Sequence, residues 1–143
     1  MMLFRTYVAM SEIQGLGVFA GEFIHKGSKI WALDPKFDLL ITPNEVEALP
    51  PHMQEFVGRY GYPHMDLPGI IVLDSDHGKF MNHSLTANTD FRVFDVGYAL
   101  VDIAEGEEIN CNYFEFNPAF RGFAAASLPD ANGSALLQAP NSP

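Results

Sequence analysis

Short runs rich in β-branched and aromatic residues recur along the sequence and are typical of β-strands. The runs cover residues 3–10, 16–20, 70–74, 89–94 and 97–103. Glycines and other turn-forming residues lie between them. The pattern predicts a mostly β fold made of small sheets.

Two further segments share the spacing Ile-x-x-Gly-x-x-Ile. The first contains Ile24, Gly27 and Ile30, and the second contains Ile103, Gly106 and Ile109. We expect each to form a strand, a turn and a second strand, because glycine readily adopts a positive φ at such corners. The similarity indicates shared turn chemistry rather than a duplicated domain.

A helical insert of about residues 42–62 is predicted between the strands. It opens with Thr-Pro-Asn-Glu at residues 42–45, which has the form of a capping box with proline at the first helical position. The proline pair at residues 50–51 ends this first helix. A second helix follows, because apolar residues then recur at helical spacing. These residues are Met53, Phe56, Val57 and Tyr60.

The composition indicates one folded domain. The chain has 143 residues, of which 48% are apolar, and this is enough for a substantial core. We place the domain at residues 1–123, because residues 124–143 are rich in Ala, Ser, Pro, Asn and Gly and predict a flexible tail. The single Cys111 excludes a disulfide framework within this sequence. An intracellular location is the expectation, cytoplasmic in a prokaryote and with the nucleus also open in a eukaryote.

No metal site is predicted. The Cys and His residues lack the spacing of a zinc site. Asp-Ser-Asp-His at residues 74–77, together with His83, offers metal-binding side chains, but a strand followed by a turn is the simpler interpretation. We expect the other histidines outside the motifs, His25, His52 and His64, to lie on the surface.

The formal net charge of −10 argues against direct binding of nucleic acid and favours cationic partners. Such a charge also keeps a protein soluble, and this explanation is sufficient by itself. A basic peptide would nevertheless be attracted to the surface. No apolar run approaches the roughly 20 residues needed to span a bilayer, and Arg5 interrupts the apolar N-terminal stretch, so neither membrane association nor a signal peptide is predicted.

A polar segment follows the apolar strand at residues 70–74. Residues 80–89, Phe-Met-Asn-His-Ser-Leu-Thr-Ala-Asn-Thr, place Asn82 and His83 beside a strand that we expect to be buried. Buried polar side chains cost free energy unless they are hydrogen-bonded. Taken singly, the Asn-His pair is more typical of a turn or of a hydrogen-bonded core histidine than of a ligand site.

Three motifs, in order, resemble the SET domain of protein-lysine methyltransferases. They are Gly15-Leu16-Gly17, Lys79-Phe80-Met81-Asn82-His83-Ser84 and Gly106-Glu107-Glu108-Ile109-Asn110-Cys111-Asn112-Tyr113. Each has a plainer explanation by itself, such as a glycine turn or a solvated acidic turn, but their joint occurrence favours the family. The resemblance spans about residues 8–116. It implies the mostly β, β-clip-like SET fold, with a C-terminal pseudoknot that brings Tyr113 against Asn82 and His83.

The same resemblance implies transfer of a methyl group from S-adenosylmethionine to a lysine amine of a protein, with a basic histone-like tail as one candidate substrate. It implies that Tyr113 is the catalytic residue. The residues implied to bind the cofactor are Gln14, Gly15, Leu16, Gly17, Tyr62, Lys79, Asn82, His83 and Phe116. The residues implied to line the substrate channel are Tyr60, Cys111 and Phe114, although Tyr60 and Tyr62 are each candidates for contact with cofactor or substrate. A homodimer is also open.

The sequence departs from the family pattern in several places. Lys79 stands where arginine is common and cannot form a bidentate clamp. Cys111 stands where Tyr or Phe is common, so the number of methyl groups transferred stays open. Leu-Thr-Ala-Asn at residues 85–88 keeps only the final Asn of the family motif. The flanking cysteine-rich zinc segments of many members do not occur in this sequence.

Without those zinc segments, another part of the protein must complete the lysine channel. The sequence offers Phe114, Phe116, Phe120 and Phe123. These side chains close the channel in one interpretation and simply fill the core in another, and a partner chain is a third source of the wall. The departures at Lys79, Ala87 and Cys111 also motivate a different function, that of a non-catalytic SET module that binds a basic peptide or a partner chain. Methylation of a non-histone or small amine substrate is a further hypothesis.

Overall fold

Short strands in three small sheets dominate the computed structural model, which describes residues 1–117 and 119–121. The strands are β1 (Thr6–Met10), β2 (Leu16–Ala20), β3 (Lys29–Ala32), β4 (Leu39–Ile41), β5 (Tyr62–Pro63), β6 (Ile71–Leu73), β7 (Asn82–His83), β8 (Thr89–Asp90), β9 (Val96–Ala99) and β10 (Glu108–Cys111). The helices are α1 (Pro43–Glu47) and α2 (Pro51–Tyr60), and two 3₁₀ turns cover His77–Phe80 and Tyr113–Glu115. The predicted mostly β fold is confirmed. The predicted domain end at residue 123 and the predicted tail at residues 124–143 lie outside the described residues.

The three sheets have the strand orders β1-β2-β10-β7, β3-β9-β8 and β4-β6-β5. Among the described strands, β7 and β10 pair in parallel and the other pairs are antiparallel. In the parallel pair Asn110 lies opposite Asn82, and Cys111 lies opposite His83. A strand from late in the chain therefore lies between an early strand and the Asn-His strand, which is the arrangement that the implied pseudoknot requires.

The two Ile-x-x-Gly-x-x-Ile segments contact each other. The backbones of Ile24 and Ile103 exchange hydrogen bonds at 2.9 and 2.8 Å. Gly27 and Gly106 have φ of 82° and 84°, and glycine adopts this left-handed region without steric cost. The four isoleucines, Ile24, Ile30, Ile103 and Ile109, are fully buried. The two glycine turns are thus confirmed, while the predicted first strand of each segment is reduced to a single bridge.

Several predicted strands are shorter than the sequence pattern indicates. The run at residues 89–94 forms only the two-residue strand β8, and the run at 97–103 forms β9, which ends at Ala99. The chain leaves β8 because Phe91 donates its backbone N–H to Glu115 Oε2 at 2.8 Å, away from the neighbouring strand. The carboxylate of Asp90 also accepts the N–H of Arg92 at 2.9 Å. Side chains thus take hydrogen bonds that a longer strand would have used.

The helical insert forms as predicted, although its apolar stripe is only partly buried. The capping box is present, because the Thr42 side chain accepts the N–H of Glu45 and the Glu45 carboxylate accepts the N–H of Thr42 at 2.8 Å. In α2, Val57 is 4% exposed, whereas Met53 and Phe56 are 37% and 36% exposed. The helix therefore uses one edge of the stripe for packing and leaves the other edge on the surface.

His64 is buried, and its predicted surface position was wrong. Its Nδ1 accepts the backbone N–H groups of Asp66 and Leu67, both at 3.1 Å. Its ring centroid lies 4.2 Å from that of Phe94. The imidazole thus accepts hydrogen bonds from the turn after β5 and packs on the ring of Phe94. Both interactions favour burial of the His64 side chain. His25 and His52 are exposed as expected.

The main core lies where the first two sheets meet. Its buried members are Val18, Ala20, Ile24, Ile30, Trp31, Met81, Ala99, Ile103, Ile109 and Cys111. Tyr62, Tyr113 and Phe116 pack against it and are partly buried, so the core supports these three candidate site residues. Across residues 1–117 and 119–121, the helices are too short and too polar to cross a bilayer.

Candidate active site

Two cavities meet just beyond the end of β10, and five residues line both of them. These are Arg59, Tyr60, Lys79, Met81 and Tyr113. The aromatic cavity has a volume of about 150 Å³, and its walls include Trp31, Tyr62, Phe91, Phe116 and Phe120. The glycine-loop cavity has a volume of about 200 Å³, and its walls include Gln14, Gly15, Leu16, Phe80 and Asn82. Tyr113 therefore stands at the boundary between a mainly apolar space and a more polar one.

The glycine-loop cavity starts at a tight turn before β2. The N–H of Ser11 donates to the carbonyl oxygen of Gly15 at 2.8 Å, and Ser11 Oγ accepts the N–H of Ile13 at 2.9 Å. Gly15 has a φ of 53°, which favours glycine. A Cβ at Gly15 would meet no other atom within 4 Å, so the backbone of the turn is accessible from the cavity.

Glu108 explains the second glycine of the motif. A Cβ at Gly17 would collide with Oε1 of Glu108, so glycine is needed for β2 and β10 to approach each other here. The Glu108 carboxylate accepts hydrogen bonds from Ser11 Oγ at 2.8 Å and from Asn82 Nδ2 at 2.9 Å. No role for Glu108 was predicted from the sequence, and its place in the third motif was the available signal.

Asn82 joins the first and third motifs. Its side chain is buried, and Nδ2 donates to the carbonyl oxygen of Leu16 at 3.0 Å as well as to Glu108. Both amide hydrogens are thus used within the protein. The polar side chain beside the buried strand therefore fixes β2 against β10, at the wall of the glycine-loop cavity.

Tyr113 is held at its backbone and at its hydroxyl. Its N–H donates to His83 Nδ1 at 3.1 Å, and its hydroxyl donates to the carbonyl oxygen of Met81 at 2.6 Å. The ring centroids of Tyr113 and His83 lie 5.2 Å apart, so the predicted approach of Tyr113 to the Asn-His strand is confirmed. Burial, assisted by nearby Cys111, raises the pKa of the Tyr113 phenol. The hydroxyl therefore stays protonated and acts as a donor to Met81.

Tyr62 and Asp74 form a second hydrogen-bonded pair at the wall of the aromatic cavity. The Tyr62 hydroxyl donates to Asp74 Oδ1 at 3.0 Å. Asp74 is 5% exposed, and burial together with the nearby Asp38 raises its pKa to about 6. Burial and the Asp74 charge raise the pKa of Tyr62, so this phenol is also neutral. From the sequence, Asp74 was a candidate only as a metal ligand, and its pairing with Tyr62 was not predicted.

Cys111 lies in the same wall as a neutral thiol. Its side chain is buried, and burial raises the pKa of the thiol well above its ordinary value. A thiol with a raised pKa is a poor nucleophile at neutral pH. Cys111 is therefore poorly suited to covalent chemistry at neutral pH.

The segment after β10 forms one wall of the aromatic cavity. Phe116, Asn117 and Phe120 line it, and the ring of Phe120 lies 5.0 Å from that of Tyr113. Phe114 is 47% exposed and lines neither cavity. Two of the four phenylalanines considered from sequence thus close the cavity within this chain, and Phe123 lies outside the described residues.

A sequence profile of the SET domain matches residues 15–114. The match covers most of the chain and contains all three motifs. The chain belongs to the SET-domain family. The resemblance found in the sequence is confirmed, and the enzyme class is that of the protein-lysine N-methyltransferases.

Solved structures share the fold of this SET domain. A Plasmodium falciparum protein assigned as a histone methyltransferase is 24% identical with a TM-score of 0.55, and the alignment covers 78% of this chain and 95% of that chain. The Chaetomium thermophilum Polycomb Repressive Complex 2 in an autoinhibited apo state is 22% identical with a TM-score of 0.60. That alignment covers 81% of this chain and 16% of the other chain, so the SET domain spans only a small part of it. No curated protein sequence matches significantly.

The predicted cofactor-binding residues of the SET domain are divided between the two cavities. Those in the wall of the glycine-loop cavity are Gln14, Gly15, Leu16, Lys79 and Asn82. Tyr62 and Phe116 line only the aromatic cavity, and their rings lie 5.3 Å apart. Gly17 and His83 line neither cavity, since Gly17 packs against Glu108 and His83 supports Tyr113.

The predicted channel residues are divided in the same way. Cys111 lines the aromatic cavity, Tyr60 lines both cavities, and Phe114 lies outside both. Arg59 was missed by the sequence analysis, yet it lines both cavities beside Lys79. Its place in the last turn of α2, next to Tyr60, was the only signal. Among the described residues, no group of three or more His, Cys, Asp and Glu side chains is arranged to hold a metal ion.

Proposed function

We propose that this SET domain transfers a methyl group from S-adenosylmethionine to the side-chain amine of a lysine in a basic protein substrate. The observation that carries the proposal is the position of Tyr113 in the walls of both cavities. Two substrates that react with each other need separate spaces that meet at the reacting atoms. The two cavities share a boundary that includes Tyr113.

The glycine-loop cavity suits S-adenosylmethionine in its chemistry. An open glycine turn at Gly15 lets a ligand approach the backbone closely. Arg59 and Lys79 supply positive charge for the carboxylate of an amino acid. The guanidinium of Arg59 would thereby supply the planar donor that Lys79 cannot. We assign Gln14, Leu16 and Asn82 to the same site.

The aromatic cavity suits the side chain of lysine. A free lysine has a pKa of about 10.4 and is protonated at neutral pH, so it must lose a proton before it attacks. An apolar cavity disfavours the ammonium form. We assign Tyr62, Cys111 and Phe116 to this side of the boundary, where the structure has them in one wall.

S-adenosylmethionine, when bound, would supply the methyl group. Its methyl carbon would pass from sulfur to the neutral amine nitrogen, sulfur would keep the electron pair of the broken bond, and the methylated nitrogen would release a proton. The chain itself contributes chiefly orientation. Because the Tyr113 hydrogen is donated to Met81, the phenol oxygen can only accept from the substrate. Tyr113 would thus hold an N–H of the amine at the boundary between the cavities.

The net charge of −10 supports a cationic substrate, because an acidic protein attracts basic peptides over distances of about a Debye length. An intracellular protein with accessible lysines fits the proposal, and a histone-like tail is one example.

The exchange of Tyr113 for Phe tests the catalytic assignment. We expect Tyr113→Phe to keep its affinity for S-adenosylmethionine, measured by calorimetry, and to lose about 100-fold in transfer rate, because the amine loses an orienting acceptor. Transfer is measured with a methyl-tritiated cofactor and mixed core histones or total cell protein. Tyr98→Phe is the control, since Tyr98 is 37% exposed on β9 and lines neither cavity.

The outcomes separate the hypotheses. Full turnover by Tyr113→Phe would remove Tyr113 from the catalytic role. Failure of the wild-type chain to bind S-adenosylmethionine would contradict the proposed function. Binding without transfer to any protein would favour the non-catalytic SET module.

A further inference from the structure

Glu108 lies in β10 beside the turn that precedes β2, and it lines neither cavity. Its carboxylate accepts the hydrogen of Ser11 Oγ, at 2.8 Å to Oε1 and 2.9 Å to Oε2. Oε1 also accepts a hydrogen bond from Asn82 Nδ2 at 2.9 Å. One carboxylate therefore joins the turn before β2 to the strand β7 at the edge of the glycine-loop cavity.

The hydroxyl of Ser11 has a fixed direction because of Glu108. A hydroxyl group carries one hydrogen, and Ser11 donates it to the carboxylate. The oxygen is left as an acceptor, and it accepts the backbone N–H groups of Ile13 at 2.9 Å and Gln14 at 3.3 Å. A hydrogen bond to a charged group is strong, and it polarises the hydrogen bonds next to it. Glu108 thus strengthens two hydrogen bonds in which it takes no part.

Those two hydrogen bonds shape the turn that lines the glycine-loop cavity. The N–H of Ser11 donates to the carbonyl oxygen of Gly15 at 2.8 Å, which closes the turn from its other end. Gln14, Gly15 and Leu16 all line the cavity. Ordering the backbone of an exposed turn has an entropic cost, so the hydrogen bonds of Ser11 help to hold these lining residues in place.

We propose that Glu108 and Ser11 are positioning residues that preorganise this turn for S-adenosylmethionine, with Glu108 acting through the Ser11 hydroxyl. The inference rests on the proposed function and adds two residues that lie outside both cavities. A turn that is already ordered binds its ligand more tightly, because less freedom is lost on binding. The two side chains act in series, and the loss of either should have the same effect.

A purely structural role for Glu108 is the alternative. Its carboxylate fills the space beside Gly17, where β2 and β10 approach each other. In that role, loss of the carboxylate loosens the pairing of these two strands. The Ala20 N–H donates to the carbonyl oxygen of Glu107 at 2.9 Å within this pairing, so the Ala20 amide reports on the structural role.

Hydrogen exchange of single amides, measured by NMR without any ligand, separates the two roles. We expect Glu108→Gln to accelerate exchange at Ile13 and Gln14 about fivefold, as for the loss of one hydrogen bond. The reason is that the glutamine amide presents N–H groups to two side chains that also donate. The Ala20 amide should stay within about twofold of wild type, since local openings differ between parts of a fold. Faster exchange at Ala20 alone would establish the structural role and overturn the inference.

Affinity for S-adenosylmethionine, measured by calorimetry with the full chain, is the second measurement. We expect Glu108→Gln and Ser11→Ala each to weaken binding about tenfold, because the loosened turn must be ordered on binding. The double variant should bind within about twofold of Ser11→Ala, since residues that act in series are not additive. Ser11→Thr keeps the hydroxyl and should bind within about twofold of wild type.

Glu107→Gln is the matched control. It removes one negative charge from the neighbouring residue, which is exposed and lines neither cavity. The Glu107 carboxylate also accepts a backbone hydrogen bond, from the N–H of Ala104 at 3.0 Å. We expect wild-type affinity for S-adenosylmethionine and wild-type exchange at Ile13. An equal loss in Glu107→Gln would reduce the effect to net charge and overturn the inference.

Wild-type affinity in Glu108→Gln, or additive losses in the double variant, would also overturn the inference. If Glu108→Gln does not fold, Ser11→Ala alone must lose about tenfold, and unchanged binding contradicts the proposal. A wild-type chain that does not bind S-adenosylmethionine contradicts the proposed function, and exchange at Ile13 then still decides whether Glu108 acts through Ser11. A wild-type chain that binds, together with variants that bind equally well, contradicts this inference alone.

Discussion

At the scale of single residues, the site depends on which atoms donate and which accept. His83 Nδ1 accepts the N–H of Tyr113, so a neutral His83 carries its hydrogen on Nε2. Asn82 uses both of its amide hydrogens to join Leu16 and Glu108. These directions follow from contacts between residues far apart in sequence.

The sequence could identify these residues but not their hydrogen-bond partners. Family motifs brought Asn82, His83 and Tyr113 together correctly. They did not show that the Glu108 carboxylate fills the space beside Gly17. This contact joins two residues that are 91 positions apart in the sequence, so no local pattern reveals it. Nor could local pattern reveal that Tyr62 donates to Asp74, since Tyr62 ends the predicted helical insert and Asp74 ends a predicted strand.

Gly17 provides a test at this scale. We expect Gly17→Ala to lower the free energy of unfolding by about 1–3 kcal/mol, because the new Cβ displaces the Glu108 carboxylate. Gly58→Ala is the control, since a Cβ there meets no atom within 4 Å and the residue lies inside α2. Helix propensity predicts that the control gains about 1 kcal/mol. Both values come from urea denaturation, and a Gly17→Ala chain as stable as wild type would contradict the packing described for Glu108.

At the scale of elements, the strands were predictable in number and place better than in length. The run at residues 16–20 became β2 without change, because its apolar residues pack on both sides. The run at residues 89–94 became only β8, since Glu115 and Asp90 take up the next backbone groups. Strand β4 was not predicted, because its residues Leu39 and Leu40 are exposed and show no clear alternation of apolar and polar positions. Hydrogen bonds from the backbone to side chains thus determine where a strand such as β8 ends.

The C-terminal wall gives a prediction for elements. We expect Phe120→Ala to weaken the affinity for n-butylammonium, which reproduces the end of a lysine side chain, several-fold in an NMR titration, because it opens the aromatic cavity next to Tyr113. Affinity for S-adenosylmethionine should change little, since Phe120 lies outside the glycine-loop cavity. Phe114→Ala is the control, as Phe114 lines neither cavity. Equal losses in the two variants would show that the segment acts only through general stability.

At the scale of the whole molecule, the burial of Asp74 makes stability depend on pH. Its pKa rises from 3.8 to about 6 on folding, so the fold favours the protonated form. Since one pKa unit corresponds to about 1.4 kcal/mol, ionisation of Asp74 lowers the free energy of unfolding by about 3 kcal/mol as pH rises from about 4 to 6. The stabilisation from protonated Asp74 is therefore lost as pH rises. A carboxylate whose pKa is lowered on folding behaves in the opposite way, because its stabilisation is lost as pH falls.

Asp74→Asn should lack this dependence. We expect the free energy of unfolding of the variant, relative to wild type, to rise as pH increases from about 4 to 6. Asp90→Asn is the control, because a hydrogen bond from Arg92 lowers the pKa of Asp90, and its effect has the opposite sign and lies below about pH 4. The measurement is denaturation at a series of pH values. A constant difference between Asp74→Asn and wild type would show that Asp74 is not buried as a titrating carboxylate.

The place of β10 in the first sheet affects how the protein acquires activity during synthesis. Strands β2 and β7 are made before β10, yet β10 pairs with both, and Tyr113 is made after β10. A growing chain that stops before residue 108 has no strand between β2 and β7 and leaves their edges unpaired, which favours association with other chains. Pairing between such distant segments is also slow. Newly made chains therefore pass through an interval in which neither cavity has its shared boundary at Tyr113.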